Sequence, residues 1–345
     1  MKTKETIRPY RPGDEERILR LRGEVFTSRM DEALFKWKFL EHPRGLGWMK
    51  VAEEGSEIIG FYGMTRQYLN FLGEEVRGGQ VGDIMVRGDR RGKGLFLKLA
   101  GSVYNTFSRD DPFVSYGFPN RQSYPAVTKY LDYARICNMD FYQYRAGMTG
   151  IAGKTLGLAG RLFRGLKVWL RCEINARLSM KRSAMEMTAD LPAGLSDLLK
   201  EINTYEVLSL WKDEDYLRWR YVDHPRHRYD IFPLRVNGVL EGLVVARRDG
   251  TRAVICEILN RTKNVQQAFL HLLYVQRRYI FSGMGEVIFL GHDNGFFETV
   301  FGRSGFKKSM SNIVCTVRFS GRGRIREMFM IPENWTFVYG DSDLI

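Results

Sequence analysis

The sequence predicts an α/β protein with mixed sheets, assembled from two copies of one unit. Two observations carry this. Residues 35–44 read FKWKFLEHPR and residues 217–226 read LRWRYVDHPR, identical or conservative at every position with an offset of 182; Asp31 and Glu32 recur at that offset as Asp213 and Glu214. Further along, the offset becomes 173: the strand-like run ending at Val86 matches the one ending at Leu259, and Asp132-Tyr133 matches Gly305-Phe306. A repeat of this length constrains the whole architecture.

Each copy reads in order as a strand, helices, a three-strand meander, a helix, a strand, a helix and a final strand. In the first copy EIIGFYGMTRQYLNFLGEEVRGGQVGDIMV forms two strands around a polar turn, and the second compresses this to LEGLVVARRDGTRAVICEIL. A shortened hairpin accounts for the nine residues lost between the two offsets. After it, Leu95, Leu99, Val103 and Phe107 fall at fourfold spacing and predict a helix over 93–108; Phe269, Leu272, Leu273 and Val275 predict its counterpart over 265–280.

Length and composition agree with this plan. The 345 residues suffice for two domains, and the hydrophobic (44%) and charged (27%) fractions are those of a globular chain that buries a core. No run approaches the ~18 apolar residues of a membrane span, and the N-terminus lacks an apolar leader, so the expected compartment is the cytoplasm. Cys137, Cys172, Cys256 and Cys315 form no CxxC pair, and no histidine stands at metal-ligand spacing. They read as buried thiols, and no metal is expected.

The expected domains are residues 1–147 and 191–345, joined by a basic linker over 148–190. Within the linker Leu158, Leu162, Leu166 and Trp169 share one helical face, and Arg161, Arg164, Lys167 and Arg171 another. This is a basic amphipathic helix, which suits packing between domains or, through 154–182, contact with an anionic membrane. Nucleic acid is disfavoured although the net charge is +13, because the excess sits in this segment with only Phe163 and Trp169 for stacking.

The sharpest local signal is Val86-Arg87-Gly88-Asp89-Arg90-Arg91-Gly92-Lys93-Gly94-Leu95, running from a strand directly into a helix. Glycines let backbone approach a ligand, and the first amides of a helix lack intrahelical partners, so this turn suits a diphosphate assisted by Arg90, Arg91 and Lys93. Here residues 7–145 resemble the GNAT superfamily of acyl-CoA-dependent N-acyltransferases. Arg91-Gly92-Lys93-Gly94-Leu95-Phe96 lies where that family has its phosphate loop, with Phe96 in place of the usual small residue. The order of the following elements agrees: the strand FVSYGFP, then Asn120, then a helix ending at Asp132-Tyr133, where the family has Gly-Phe. At the second copy's corresponding positions stand Asn264, Val265, Gln266 and Gln267, which offer no wide anion cradle. That half is expected to be a degenerate GNAT-like domain.

The resemblance implies acetyl-CoA or another acyl-CoA as co-substrate and direct attack by a primary amine of a small or sugar-linked acceptor. Backbone amides near Met85 and Val86 would hold the thioester oxygen. Asp83, on Met85's face of the strand, is a candidate proton acceptor or amine ligand, or equally a member of a structural ion pair. The family's usual proton-donating tyrosine is Thr128 here, leaving Tyr124 and Tyr130 as candidates, Tyr124 being nearer in helical direction. Asn120 would clamp the pantetheine or the following helix. His42 and His224 follow helix ends near Pro43 and Pro225, where an imidazolium is favoured. The repeated motif suits a structural role, and His42 and Arg44 are also candidates for an acceptor's carboxylate or phosphate. The alternative to an enzyme is an inactive CoA-binding or scaffold protein of the same fold.

Overall fold

The computed structural model describes residues 5–107, 113–145, 183–320 and 324–342. Most of the basic linker lies outside the described residues. The chain divides into two compact units, Met1–Cys137 with Ile313–Pro332, and Asn138–Asn312 with Glu333–Ile345. The units thus interleave along the sequence, whereas the reading from sequence made each domain continuous.

In the first unit β1 (Thr6–Pro9), β2 (Trp48–Glu54), β3 (Glu57–Phe71) and β4 (Glu74–Val86) form an antiparallel meander. β5 (Phe113–Gly117) joins β4 in parallel, through only three residue pairs, Gly78 to Gln80 opposite Val114 to Tyr116. Residues 316–320, from the far end of the chain, cover β5's other edge in antiparallel register. β6 (Ala134–Arg145) begins in this unit.

Alternation along the strands separates two apolar faces. Helices α1 (Glu15–Val25) and α2 (Glu32–Phe39) join a core of Ile18, Leu21, Phe35, Phe39, Phe61 and Met85. Helices α3 (Leu95–Tyr104) and α4 (Tyr124–Tyr130) join the other, around Tyr62, Leu99, Val103 and Val127. α3 starts two residues later than the periodicity predicts, because Gly92 and Gly94 have φ of 75° and 76° and cannot be helical.

In the second unit β7 (Ser183–Met185), α5 (Leu195–Tyr205), β8 (Leu208–Leu210) and α6 (Glu214–Leu217) precede another meander. It consists of β9 (Tyr229–Val236), β10 (Val239–Asp249) and β11 (Arg252–Asn260). Then come α7 (Val265–Phe281), β12 (Glu286–His292) and α8 (Phe296–Arg303), followed by β13 (Lys307–Ser320) and β14 (Phe337–Val338). β12 runs parallel to β11 and antiparallel to residues 140–145 of β6.

Matching positions carry matching geometry. β5 and β6 begin at 113 and 134, β12 and β13 at 286 and 307. The carboxylate of Asp31 caps α2 by accepting from the Leu34 amide at 2.9 Å, as Asp213 caps α6 through Tyr216 at 2.9 Å. His42 Nδ1 accepts from the Arg44 amide at 3.1 Å, and His224 Nδ1 from the Arg226 amide at 3.1 Å. The hairpin is shorter in the second unit, β10 and β11 having 11 and 9 residues against 15 and 13 in β3 and β4.

One expectation is corrected here. An imidazolium was expected at His224, yet burial, reinforced by Arg220, His227 and Arg247, pushes its pKa down to about 3. Desolvation outweighs the helix dipole, and a ring whose Nδ1 accepts two backbone hydrogen bonds is neutral. His271, buried on α7 with Nε2 2.8 Å from the Phe232 carbonyl, is pushed down by burial to about 4.

Two predictions follow from these contacts. Residues 1–147 expressed alone leave β5 without the strand at 316–320 and should be recovered mainly as aggregate; a monomeric, cooperatively unfolding fragment would contradict the interleaving. His224 and His271 bind protons more readily unfolded than folded, so the stability they carry is complete above about pH 6.5 and falls with acidification. The urea midpoint of the second unit should drop between about pH 7 and about pH 5, where a constant midpoint would contradict neutral buried rings.

Candidate active site

The site begins where β4 leaves β5. Pairing stops at Gln80 opposite Tyr116, and from Val81 to Val86 β4 is paired only with β3 among the described residues. β4 also carries a bulge, since Phe61 faces Met85 while Gly63 faces Gly82. Asp83 sits in it with φ of 51°, a left-handed conformation that a non-glycine residue adopts at a cost. Its carboxylate receives Lys38 Nζ at 2.7 Å and Arg22 Nε at 3.2 Å, with all three side chains largely buried. Burial alone would push the Asp83 carboxyl up, but Lys38 and Arg22 together hold it below the usual range. At neutral pH such a group is an ion-pair partner and a weak base.

Beyond the bulge, Met85 is sealed in the core with α1 and α2, while Ile84 and Val86 face the α3 side. The loop follows as a short 3-10 turn at Gly88–Arg90 and then Arg91 to Gly94. Cβ atoms added at Gly88, Gly92 or Gly94 would meet nothing within 4 Å, so the backbone borders open space. No side chain caps α3. The free amides at its start and the ends of the Arg91 and Lys93 side chains, which bond the carbonyls of Val86 and Asp89 at 3.1 and 2.8 Å, form an exposed positive cradle. Arg90 is turned aside, paired with Glu54 and Asp89. Phe96 is half-buried against the α3 core, which accounts for an aromatic where a small residue was expected. Open backbone, free helix-start amides and two basic side chains together suit an anionic group such as a diphosphate.

The second unit fills the corresponding space itself. The Asn264 side chain accepts from the Gln267 amide at 3.0 Å, and Asn260 Oδ1 accepts from the Asn264 amide at 2.7 Å. The start of α7 is therefore capped from within.

The remaining candidates lie at α4 and its approach and beside β3. Asn120 Oδ1 accepts from the amides of Gln122 and Ser123, both at 2.9 Å, and its carbonyl from Tyr124; it clamps the start of α4. Tyr124 is half-buried at the first position of α4, whereas Tyr130 is 55% exposed with Lys129 over its ring. Thr128 Oγ1 bonds the Tyr124 carbonyl at 2.8 Å. His42 is buried, with Nε2 3.3 Å from the Gln67 carboxamide, and Arg44 stacks over Tyr68.

Sequence reasoning missed a buried hydroxyl chain beside the gap. Tyr62, Tyr104 and Tyr133 link at 3.0 and 2.5 Å, and Tyr133 donates to Ser115 Oγ on β5 at 2.8 Å. Burial pushes Tyr62 and Tyr133 well above the ordinary phenol value, so these hydroxyls stay protonated. Arg318, from the strand contributed by the far end of the chain, lies 4.2 Å over the Tyr104 ring. Apart from Tyr133 replacing the expected Phe, nothing in the spacing signals the cluster.

Comparison with known proteins bears on the fold. Residues 6–136 match the model of the acetyltransferase (GNAT) domain. The fold is shared with a probable N-acyltransferase from Enterococcus faecalis V583, at TM-score 0.62 and 12% identity over 92% of this chain and 73% of that one. It is also shared with a GCN5-related N-acetyltransferase from Kribbella flavida, at 0.60 and 12% over 91% and 71%. A glucosamine N-acetyltransferase region of a fungal multi-domain β-N-acetylglucosaminidase aligns at 0.60 and 11%, over 92% of this chain and 38% of that one. No curated protein matches the sequence. The chain has the GNAT acetyltransferase fold, and the domain match with the shared fold supports acyl-CoA-dependent acyl transfer. Among the described residues no helix is long and apolar enough to cross a membrane, and no group of three or more His, Cys, Asp or Glu is placed to hold a metal.

Two substitutions test the site's construction. Asp83→Asn leaves Lys38 and Arg22 buried against a neutral partner and should cost about 3 kcal/mol or more of stability, read by denaturant unfolding; an unchanged midpoint would contradict the ion cluster. Gly94→Ala forces a left-handed conformation worth ~1–2 kcal/mol and should weaken acyl-CoA binding with little effect on the unliganded fold's secondary structure.

Proposed function

We propose that the chain is an acyl-CoA-dependent N-acyltransferase with one working site, in the first unit, and that the second unit is a diverged copy of the same fold. The single observation that carries this is the open, uncapped turn at Arg91–Phe96 set against the self-capped turn at Asn264–Gln267. The matching caps, histidines and strand starts of the two halves support the duplication.

In this reading Arg91, Gly92, Lys93, Gly94 and the amides of Leu95 and Phe96 hold the diphosphate. The unpaired β4 edge at Met85 and Val86 polarises the thioester oxygen. An unprotonated primary amine attacks the carbonyl carbon, the C–N bond forms, the C–S bond breaks and the thiolate leaves as CoA, while the proton shed by the new amide nitrogen passes to solvent water, from which the Tyr124 phenol is restored. Tyr124, at the start of α4, donates the proton to that sulfur, and the solvent-exposed Tyr130 does not. Asn120 orders α4 and thereby Tyr124. Asp83 is a positioning residue that fixes the bulge ahead of Met85, and His42 holds the turn that presents Arg44 to an anionic group on the acceptor. The glucosamine-acetylating protein of the same fold makes a sugar-linked amine the acceptor class to try first.

Calorimetry should return one acetyl-CoA per chain, and Arg91→Ala with Lys93→Ala should raise its Kd at least about tenfold, as expected for two lost charge-assisted contacts. Thiol release from acetyl-CoA across an amine panel should be lowered in kcat by Tyr124→Phe and not by Tyr130→Phe. Two equivalents bound would contradict the degenerate second copy, and binding without thiol release from any amine would favour a CoA-binding scaffold.

A further inference from the structure

In the second unit the chain itself occupies the place where the strands part. β11 and β12 pair from Arg252–Ile255 opposite Glu286–Phe289 and then separate. Phe289 corresponds, at the offset of 173, to Tyr116, where β5 leaves β4. In the first unit the edge of β4 exposed there has no partner strand among the described residues. In the second, β14 pairs Val338 with Gly291 and Phe337 with His292. Gly291 also pairs with Asp140 of β6, so β14 lies on the edge of β12 that β11 has left.

The segment is held along its whole length. Trp335, Phe337 and Val338 are buried, and the Thr336 amide donates to the Leu208 carbonyl of β8 at 2.8 Å. Asp341 shares Lys212 with Glu257 of β11, at 3.0 and 2.7 Å. A Cβ added at Gly340 would stand 2.8 Å from the Cys256 carbonyl and collide with the Tyr221 hydroxyl, so main chain presses on β11 one residue past its last pair with β12. The cavity left beside Thr336 and Val338 is about 40 Å³, far below the ~300 Å³ at which small-molecule sites begin.

The repeat shows what the segment replaces. Arg220 stands at the position of Lys38, 182 residues on, and Cys256 at that of Asp83, 173 residues on. Cys256 sits in a bulge of β11 as Asp83 sits in that of β4. In the first unit Lys38 meets the carboxylate of Asp83. Cys256 offers none, and the buried guanidinium of Arg220 donates instead to the carbonyls of Gly340 and Ser342, both at 2.8 Å. Charge-assisted bonds to main chain grip a peptide whatever its side chains, and losing them would leave a charge buried without those acceptors.

We infer that the cleft between β11 and β12 is a strand-binding groove for an extended peptide, and that Trp335–Ser342 is its ligand, bound in cis. Pairing with β12 and the grip of Arg220 on two carbonyls supply affinity. The buried places of Trp335 and Phe337, and the lack of room for any side chain at Gly340, supply specificity. The groove gives the second unit a task of its own, and it does not rest on the transferase reading.

The test uses the full chain with a specific protease site inserted after Ile331, which is 43% exposed. Cut under native conditions, the chain should keep residues 332–345 through gel filtration. A fluorescent synthetic peptide of those residues should then exchange into the cut chain to one per chain, read by anisotropy. The same peptide carrying Gly340→Val should bind at least about tenfold more weakly, and the cut Arg220→Met chain should hold the unaltered peptide at least about tenfold more weakly, for the two charge-assisted bonds lost. The peptide series leaves the body of the chain untouched, so a variant chain that fails to fold does not decide the matter. Loss of the segment on filtration, whether or not the second unit stays folded, would overturn the inference. So would equal affinity for the unaltered and Gly340→Val peptides.

Discussion

The first unit depends on a parting of two strands. β4 and β5 share three residue pairs and then separate, so that from Val81 on one edge of β4 has no partner strand among the described residues, while β3 lies along the other. Backbone N–H and C=O groups in a partly buried cleft require hydrogen bonds, so such an edge is a binding surface in waiting. The bulge at Asp83 turns β4 at this point, and the Lys38–Asp83–Arg22 cluster ties it to α1 and α2. Met85 is then sunk into the core below and the glycine turn projected into open space above. Strain at one residue, held by two ion pairs, sets the direction of everything that follows it.

The second unit builds the comparable position differently. Its strands part in the same way, with β11 and β12 pairing over four residues. Two asparagines then satisfy the turn from within, and an anion gains nothing by entering. Beside the parted strands Lys212 is buried between the carboxylates of Glu257 and Asp341. The turn after the parted strands is thus open and uncapped in one unit and capped from within in the other.

Much of this was legible in the sequence because it rests on local chemistry. The repeated Asp-Glu and His-Pro-Arg segments, the shortened hairpin and the glycine turn between strand and helix each have short-range physical causes. What stayed hidden depends on distant partners. Asp83 could be weighed as a base or as an ion-pair member, and only the approach of Lys38 and Arg22, from 45 and 61 residues away, shows which surroundings it has. The protonation of His224 turned on burial, which a motif does not report. The closure of β5 by residues 316–320 and the hydroxyl chain through Tyr62, Tyr104 and Tyr133 join elements that no spacing rule connects.

The central claim is that unfilled amides at the turn into α3 receive the diphosphate of an acyl-CoA. Amide hydrogen exchange with and without acetyl-CoA measures it directly. The account predicts strong protection across residues 88–97 on adding the nucleotide and none across residues 261–268 at the start of α7. Protection absent from the first segment, or equal in both, would contradict it.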